Sequence, residues 1–461
     1  MSDELTRLSA ARAAELIRGG ELSPVELVGA YLHRVEGLNP RLNAVVTLAP
    51  DVLKRARKAE SAVARGESLG PLHGVPLTVK DTIDVRGVRT TRGTRLEAEH
   101  VPDEDALAVA RLRAAGAIII GKTNCAELAL DYASDNPVFG RTNNPHDLTR
   151  SPGGSSGGCA AAVAACLTAG SLGSDLAGSI RIPAHFCGVA GLKPTAGRVP
   201  GRGHAPPVEG PHALGASLGP LARTIADLEL LFGVLADDEG RSIDVDRLRG
   251  ARAALYFDDG AVPVNDEMRS AVKRAPEALS DAGLLVEEAR PPSIERAHES
   301  WLKIFSYPTV RYLREFYRGR EEDAGPTARA MLRRGPQEPS AEELLASWDE
   351  RDGLRGELLR WMEHTPLVIA PAGPVEAFKH EESRKLEVDG GVIPTFRAFA
   401  LAQSFNVYNL PAVCVPAGRT REGMPVGVQI AGRPFEERRV LAAARVIEEA
   451  LGGWQPPPTF A

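Results

Sequence analysis

The residues best suited to chemistry lie in one stretch. It runs Gly153-Gly154-Ser155-Ser156-Gly157-Gly158, then an Ala-rich segment, then Gly173-Ser174-Asp175-Leu176-Ala177-Gly178-Ser179-Ile180-Arg181. Glycine reaches backbone angles that other residues avoid, so glycines around two serines let N–H groups converge and chains pass closely. The second turn, Asp175–Ser179, is again small and Gly-containing, and it precedes a predicted helix start at Ser179–Arg181. Successive N–H groups in such a turn make an anion pocket, so a serine there can hold an acyl carbon beside a site for its oxyanion. The same composition would also build a tight helical hairpin with glycine at its turns.

A serine hydroxyl is a weak nucleophile at neutral pH and needs a base. No histidine is an obvious partner. A lysine can serve if burial lowers its pKa enough to leave it neutral. Lys80 ends the apolar run Val75–Val79, and Lys122 follows the apolar run Ala117–Ile120. Both sit at predicted strand ends, where lysines are also ordinary ion-pair residues, and spacing does not choose between them.

Three other motif matches fail on mechanics. Gly116–Thr123 fits a phosphate loop, but its middle residues are Ala and three Ile, which form a strand and not a flexible turn. Gly66–Gly70 and Gly215–Gly219 fit the nucleophile-elbow pattern around Ser68 and Ser217, yet neither follows the hydrophobic strand an elbow requires.

The segment Gly153–Ala184 resembles the signature of the amidase signature family, with its GGSSGG core, spaced Ala/Gly helix and GSDxxGSIRxPA ending. Gly74–Asp81 is similar to the family's lysine motif. Gly121–Asn124, Phe139–Pro145, Gly191–Thr195, Gly219–Arg223 and Pro425–Gln429 resemble further family segments, and 293–363 is the least similar part. The resemblance implies a Ser–cisSer–Lys triad, with Ser179 as nucleophile, Ser155 as relay across a cis Gly154–Ser155 bond, and Lys80 rather than Lys122 as base. It also implies an oxyanion pocket from the N–H groups of Leu176, Ala177, Gly178 and Ser179. Asp175 and Arg181 would hold the turn, and Ser156 would structure the loop. The reaction implied is hydrolysis of a small carboxylic amide through an acyl-enzyme, with no cofactor and no metal. Ala177 departs from the Gly-Gly that precedes the nucleophile in many relatives; its methyl would narrow the pocket or restrict the turn. Ala129, Leu130 and Tyr132, with the 293–363 segment, are expected to line the substrate pocket. Three alternatives stand beside this reading. They are the amidase subunit of a transfer-RNA-dependent amidotransferase, a carbamate or aryl ester hydrolase using the same triad, and a binding-only relative. The C-terminal part, Phe405–Ala461, looks more like a free-standing amidase.

The elements that must position these residues follow from pattern. Ser23-Pro24-Val25-Glu26 is a capping box opening a helix, and a charged helix is predicted from Asp51 to about Arg65. Residues 1–70 therefore read as helices. Strands are predicted at Val75–Val79, Ala117–Ile120, Ala253–Phe257, Leu284–Glu287, Leu367–Ala370, Val413–Val415 and Val426–Ile430. Helices are predicted at Glu104–Ala115, near Asp266–Ala282 and at about Glu436–Ala450. Strands alternating with helices argue for an α/β fold with a central mixed twisted sheet covered on both faces. The chain is expected to form one large domain, 1–461, with the charged, aromatic segment 293–363 as a helical cap insertion.

Composition is that of a globular protein: 461 residues, 43% apolar and 25% charged. The net charge of -6 gives no electrostatic case for nucleic acid or an anionic membrane. The N-terminus starts with acids and has no continuous apolar run, which argues against a leader or a membrane anchor. Five cysteines without a CxxC pair read as free thiols in a reducing cytoplasm. The expected partner is a small-molecule amide, and a homodimer is compatible with the reading.

Overall fold

The computed structural model describes residues 2–67, 69–238, 240, 242–382 and 384–460. An 11-stranded mixed sheet forms its centre. In chain order the strands are β1 (Val45–Leu48), β2 (Pro76–Lys80), β3 (Ile118–Thr123), β4 (Gly170–Asp175), β5 (Ala190–Lys193), β6 (Ser217–Ala222), β7 (Arg252–Leu255), β8 (Leu285–Glu288), β9 (Leu367–Pro371), β10 (Lys385–Val388), β11 (Gly391–Pro394), β12 (Ala412–Arg419) and β13 (Pro425–Gly432). β10 and β11 make a separate hairpin. The rest run in the order β1-β3-β2-β4-β6-β5-β12-β13-β9-β7-β8. β2 is parallel to β3 and β4, and β7 is parallel to β8 and β9. The strands between β4 and β9 pair antiparallel. Helices flank this sheet on both faces.

Two kinds of strand build the sheet. β2, β3, β9 and β13 are wholly buried along their length, as a sheet covered on both faces requires. β4, β5 and β6 read GSLGSD, AGLK and SLGPLA, with almost no intrinsic strand preference. Crowding explains their composition. A Cβ on Gly173 would stand 2.9 Å from Leu221 and 3.0 Å from the Ser156 hydroxyl. The helix Gly157–Ala164 is buried all round and packs against β4 and β6. A Cβ on its Gly158 would meet the Asn124 carbonyl oxygen at 2.4 Å, so glycine lets the helix approach the end of β3.

Some expectations change. Residues 1–70 are not helical throughout, because Val45–Leu48 pairs antiparallel with β3 at the sheet edge. The helix Pro24–Leu42 stops at Asn43, which is left-handed with φ 54°. The Asn39 side chain then accepts the Ala44 and Val45 amides at 2.9 and 2.8 Å and turns the chain into β1. The helix near Asp266–Ala282 is two helices, Asp266–Val272 and Arg274–Asp281. Pro276 lacks the N–H that would continue a single ladder. Residues 293–363 carry the helices Ala297–Trp301, Tyr307–Phe316, Pro326–Arg334 and Ala341–Trp361; the first two join through a π-helical turn. Among the described residues no helix is long and apolar enough to cross a membrane.

Candidate active site

β2 and β3 decide which lysine reaches the serines. Their parallel register pairs Val79 with Lys122 and Lys80 with Thr123. Side chains alternate along a strand, so Lys80 and Lys122 project from opposite faces. Lys122 donates to the Ile83 carbonyl and the Thr90 hydroxyl, and its Nζ lies 3.5 Å from Asp81. It is a buried structural residue, whose pKa burial lowers against the opposing effect of Asp81. Lys80 projects toward the glycine-rich loop instead, where its Nζ lies 2.6 Å from Ser155 Oγ and 3.0 Å from Ser174 Oγ. The Lys80 side chain is fully buried. Burial pushes its pKa down to about 8, against the opposing effect of groups that include Asp175.

The Gly154–Ser155 peptide is cis. Ser134 fixes this loop: its hydroxyl donates to the Gly153 carbonyl at 2.9 Å and accepts the Gly157 amide at 2.9 Å. Ser156 ties the loop to β4 and to the second turn. Its hydroxyl donates to the Ser174 carbonyl at 3.2 Å, and its amide donates to the Ser179 carbonyl at 3.2 Å.

The turn Asp175–Ser179 leads into the buried helix Arg181–Cys187. Asp175 and Arg181 form a bidentate ion pair at 3.0 and 3.1 Å, both side chains without solvent exposure. Arg181 also donates to Gln429 at 2.9 Å and to Asn406 at 2.7 Å. The guanidinium holds the Asp175 carboxyl far below the usual carboxylate range against the opposing effect of burial. The Asp175 carboxylate accepts the Gly178 amide at 2.8 Å and the Ile180 amide at 3.0 Å.

This last contact corrects the expected oxyanion set. The Gly178 N–H is engaged by Asp175 and is not free to meet an incoming oxygen. Gly178 supplies conformation instead, with φ 104° and a hydrogen where a Cβ would stand 2.7 Å from Ala402. Among the described residues the amides of Leu176, Ala177 and Ser179 have no acceptor. Two side chains hold the carbonyls of this turn. The Trp301 indole N–H donates to the Leu176 carbonyl at 2.8 Å, and the Tyr132 hydroxyl donates to the Ala177 carbonyl at 2.7 Å. Tyr132 accepts in turn from Gln403 at 3.0 Å. Tyr132 is thus more than an apolar wall residue.

Ser179 borders two unequal cavities. A narrow one of about 70 Å³ also contacts Ser155, Ser174, His204 and Leu176. A larger one, about 410 Å³, runs past Leu130, Tyr132, Trp301, Met331 and Phe396. Its aromatic side is a cluster: Phe396 lies 5.7 Å from Tyr132 and 5.0 Å from Trp301 between ring centroids. Arg384 and Asp131 border the same cavity; burial pushes the Asp131 carboxyl up, and it accepts the Thr327 hydroxyl at 2.6 Å and the Tyr132 amide at 2.7 Å. Ala129 and Leu130 border both spaces. Ala177, partly facing the larger cavity, adds a methyl to its wall.

Ser217 begins β6 opposite Asp175 and has a buried hydroxyl without a partner, so it lacks any base. Ser68 lies outside the described residues. Gly116–Thr123 runs into β3 and forms no phosphate loop. No cluster of three or more His, Cys, Asp or Glu able to hold a metal occurs among the described residues. Ser174, His204, Trp301, Asn406 and Gln429 were not singled out by sequence reasoning. Ser174 and Gln429 lay inside motif segments, without a role assigned to either; the other three lay outside them.

The Amidase family model matches residues 26–441. A glutamyl-tRNA(Gln) amidotransferase subunit of Carboxydothermus hydrogenoformans is 33% identical over 97% of this chain and 98% of its own. A crystal structure of an amidase superposes with a TM-score of 0.87 at 31% identity, covering 96% of this chain and 100% of the other. The 6-aminohexanoate cyclic dimer hydrolase complexed with substrate gives 0.86 at 30% identity, with 99% and 100% covered.

Proposed function

Since the chain belongs to the amidase signature family, enzymes that act on C–N bonds, we propose that it hydrolyses a small carboxylic amide through an acyl-enzyme on Ser179. The observation that carries this reading is the 2.6 Å contact between buried Lys80 and Ser155, beside a cavity that Ser179 also borders. Neutral Lys80 takes the Ser155 proton as Ser155 takes that of Ser179, and the Ser179 oxygen bonds to the carbonyl carbon. The amides of Leu176, Ala177 and Ser179 stabilise the oxyanion. The relay returns the proton to the leaving nitrogen as the C–N bond breaks, and water then releases the acid. Asp175 and Arg181 keep the turn in shape, and Ser156 holds the two loops together. The five cysteines, all buried and free, fit a reducing cytoplasm. The aromatic wall supports an apolar or aryl substituent on the substrate. An aryl ester or a carbamate would use the same groups.

A second reading is the glutamine-hydrolysing subunit of an amidotransferase. Two observations favour it. The amidotransferase subunit from Carboxydothermus matches almost the whole chain. In addition, Asp131 and Arg384 place a carboxyl and a guanidinium on the larger cavity, the kinds of group that would meet an α-amino acid's ammonium and carboxylate.

The test is a fluorophosphonate reaction with peptide mass spectrometry, followed by parallel assays of p-nitroacetanilide and glutamine. An adduct on Ser179 is expected. An adduct on Ser217 or none at all would refute the mechanism. Turnover of glutamine but not of the anilide would move the assignment to the second reading.

A further inference from the structure

The hydroxyl of Ser174, on β4, stands between two nitrogens. Lys80 Nζ is 3.0 Å away, and His204 Nε2 is 2.8 Å away. His204 belongs to the loop between β5 and β6, and its backbone is pinned to residues 82–84. The Asp84 amide donates to the Gly203 carbonyl at 2.8 Å, and the Ala205 amide donates to the Thr82 carbonyl at 2.9 Å. The other ring nitrogen, Nδ1, lies 2.7 Å from the Pro206 carbonyl oxygen. A carbonyl only accepts, so Nδ1 carries the ring proton and Nε2 presents its lone pair. Burial, helped by the charge of Lys80, pushes the His204 pKa down to about 3, so this tautomer persists throughout the neutral range.

A hydroxyl has one proton to give. With an acceptor at 2.8 Å, Ser174 directs that proton to His204 and leaves only lone pairs toward Lys80. The Thr82 hydroxyl is a longer second approach to the same nitrogen, at 3.1 Å. Lys80 must therefore donate to Ser174. A neutral amine has a single lone pair, and it remains for Ser155. If Ser174 could turn its proton toward Lys80, it would compete with Ser155 for that lone pair.

We propose that His204 is a positioning residue: by accepting the Ser174 proton it keeps the Lys80 lone pair available to Ser155. This rests on the reading of Lys80 as the base. The test compares His204→Leu, which fills the space without an acceptor, with His204→Gln, whose carbonyl oxygen can still accept. Each is made with and without Ser174→Ala. The readout is phosphonylation of Ser179 by a fluorophosphonate, separated into maximal rate and half-saturating concentration, with thermal melts as a check on folding. His204→Leu is expected to lower the maximal rate roughly tenfold, the worth of one competing hydrogen bond, without changing half-saturation. His204→Gln should recover most of that rate. In the Ser174→Ala background His204→Leu should change nothing further. Equal losses in the Leu and Gln variants would overturn the proposal, as would a loss that persists without the Ser174 hydroxyl. Failure of the unmodified enzyme to label at Ser179 would instead remove the triad reading on which it stands.

Discussion

The proposed role of Lys80 as base makes the sharpest prediction, because one pKa shift would control both rate and stability. At pH 7 a lysine with an ordinary pKa of 10.5 is neutral in about 0.03% of molecules, whereas one lowered to about 8 is neutral in about 9%. Burial thus raises the population of active base roughly 300-fold. The kcat/KM for an anilide should fall tenfold per pH unit below about 8 and level off above it. The same shift acts on folding. The unfolded chain keeps the Lys80 proton up to about 10.5 and the folded chain loses it near 8. The unfolded state binds more protons in that window, and stability rises with pH across it. Below pH 8 the buried charge costs about 3 kcal/mol. Lys80→Met removes that cost but strips the Ser155 and Ser174 hydroxyls of a partner, at about 1 kcal/mol each. The inactive variant should therefore be more stable than the native enzyme by about 1 kcal/mol at pH 7, and less stable by about 2 kcal/mol above pH 10.5. Urea denaturation at both pH values measures the difference, and other titrating groups cancel between the two proteins. A rate that stays flat down to pH 5, or a stability difference that does not change with pH, would refute the assignment of Lys80 as a buried base.

Ser179→Ala should abolish anilide turnover and fluorophosphonate labelling with an unchanged melting profile; residual labelling at that peptide would count against the nucleophile. Asp175→Asn leaves Arg181 buried beside a neutral group. It should cost about 3–5 kcal/mol in urea denaturation, in keeping with the fully buried pair at 3.0 Å. Trp301→Phe keeps an aromatic ring but removes the indole N–H that holds the Leu176 carbonyl, together with part of the ring that lines the larger cavity. It should lower kcat about tenfold with KM little changed, measured by steady-state kinetics. An equal change in KM alone would mean that Trp301 only shapes the cavity.

The proposed triad positions could be read from the sequence because two of the three sit in one glycine-serine stretch that resembles the family signature and the third ends an apolar strand. The choice of Lys80 over Lys122 was not legible from spacing. It depends on the register of two parallel strands, which puts the two amines on opposite faces of the sheet. The engagement of the Gly178 amide was also hidden, since it depends on where the Asp175 carboxylate points once Arg181, Asn406 and Gln429 surround it. Arg181 is six residues from Asp175 and inside the motif, but Asn406 and Gln429 come from distant parts of the chain, and Asn406 carries no local pattern. Strands β4, β5 and β6 escaped for a related reason. Their glycines, serines and alanines lack strand preference because the buried helix and neighbouring side chains leave no room for larger residues. The same crowding brings β4, the cis Gly154–Ser155 peptide and the Ser179 turn together, so that Lys80 touches Ser155 and Ser174 and Ser179 borders the same narrow cavity as the two serines. A larger residue at Gly173 would strengthen the strand signal in the sequence and push Ser156 off β4, taking with it the hydroxyl contact that ties the first serine loop to the second.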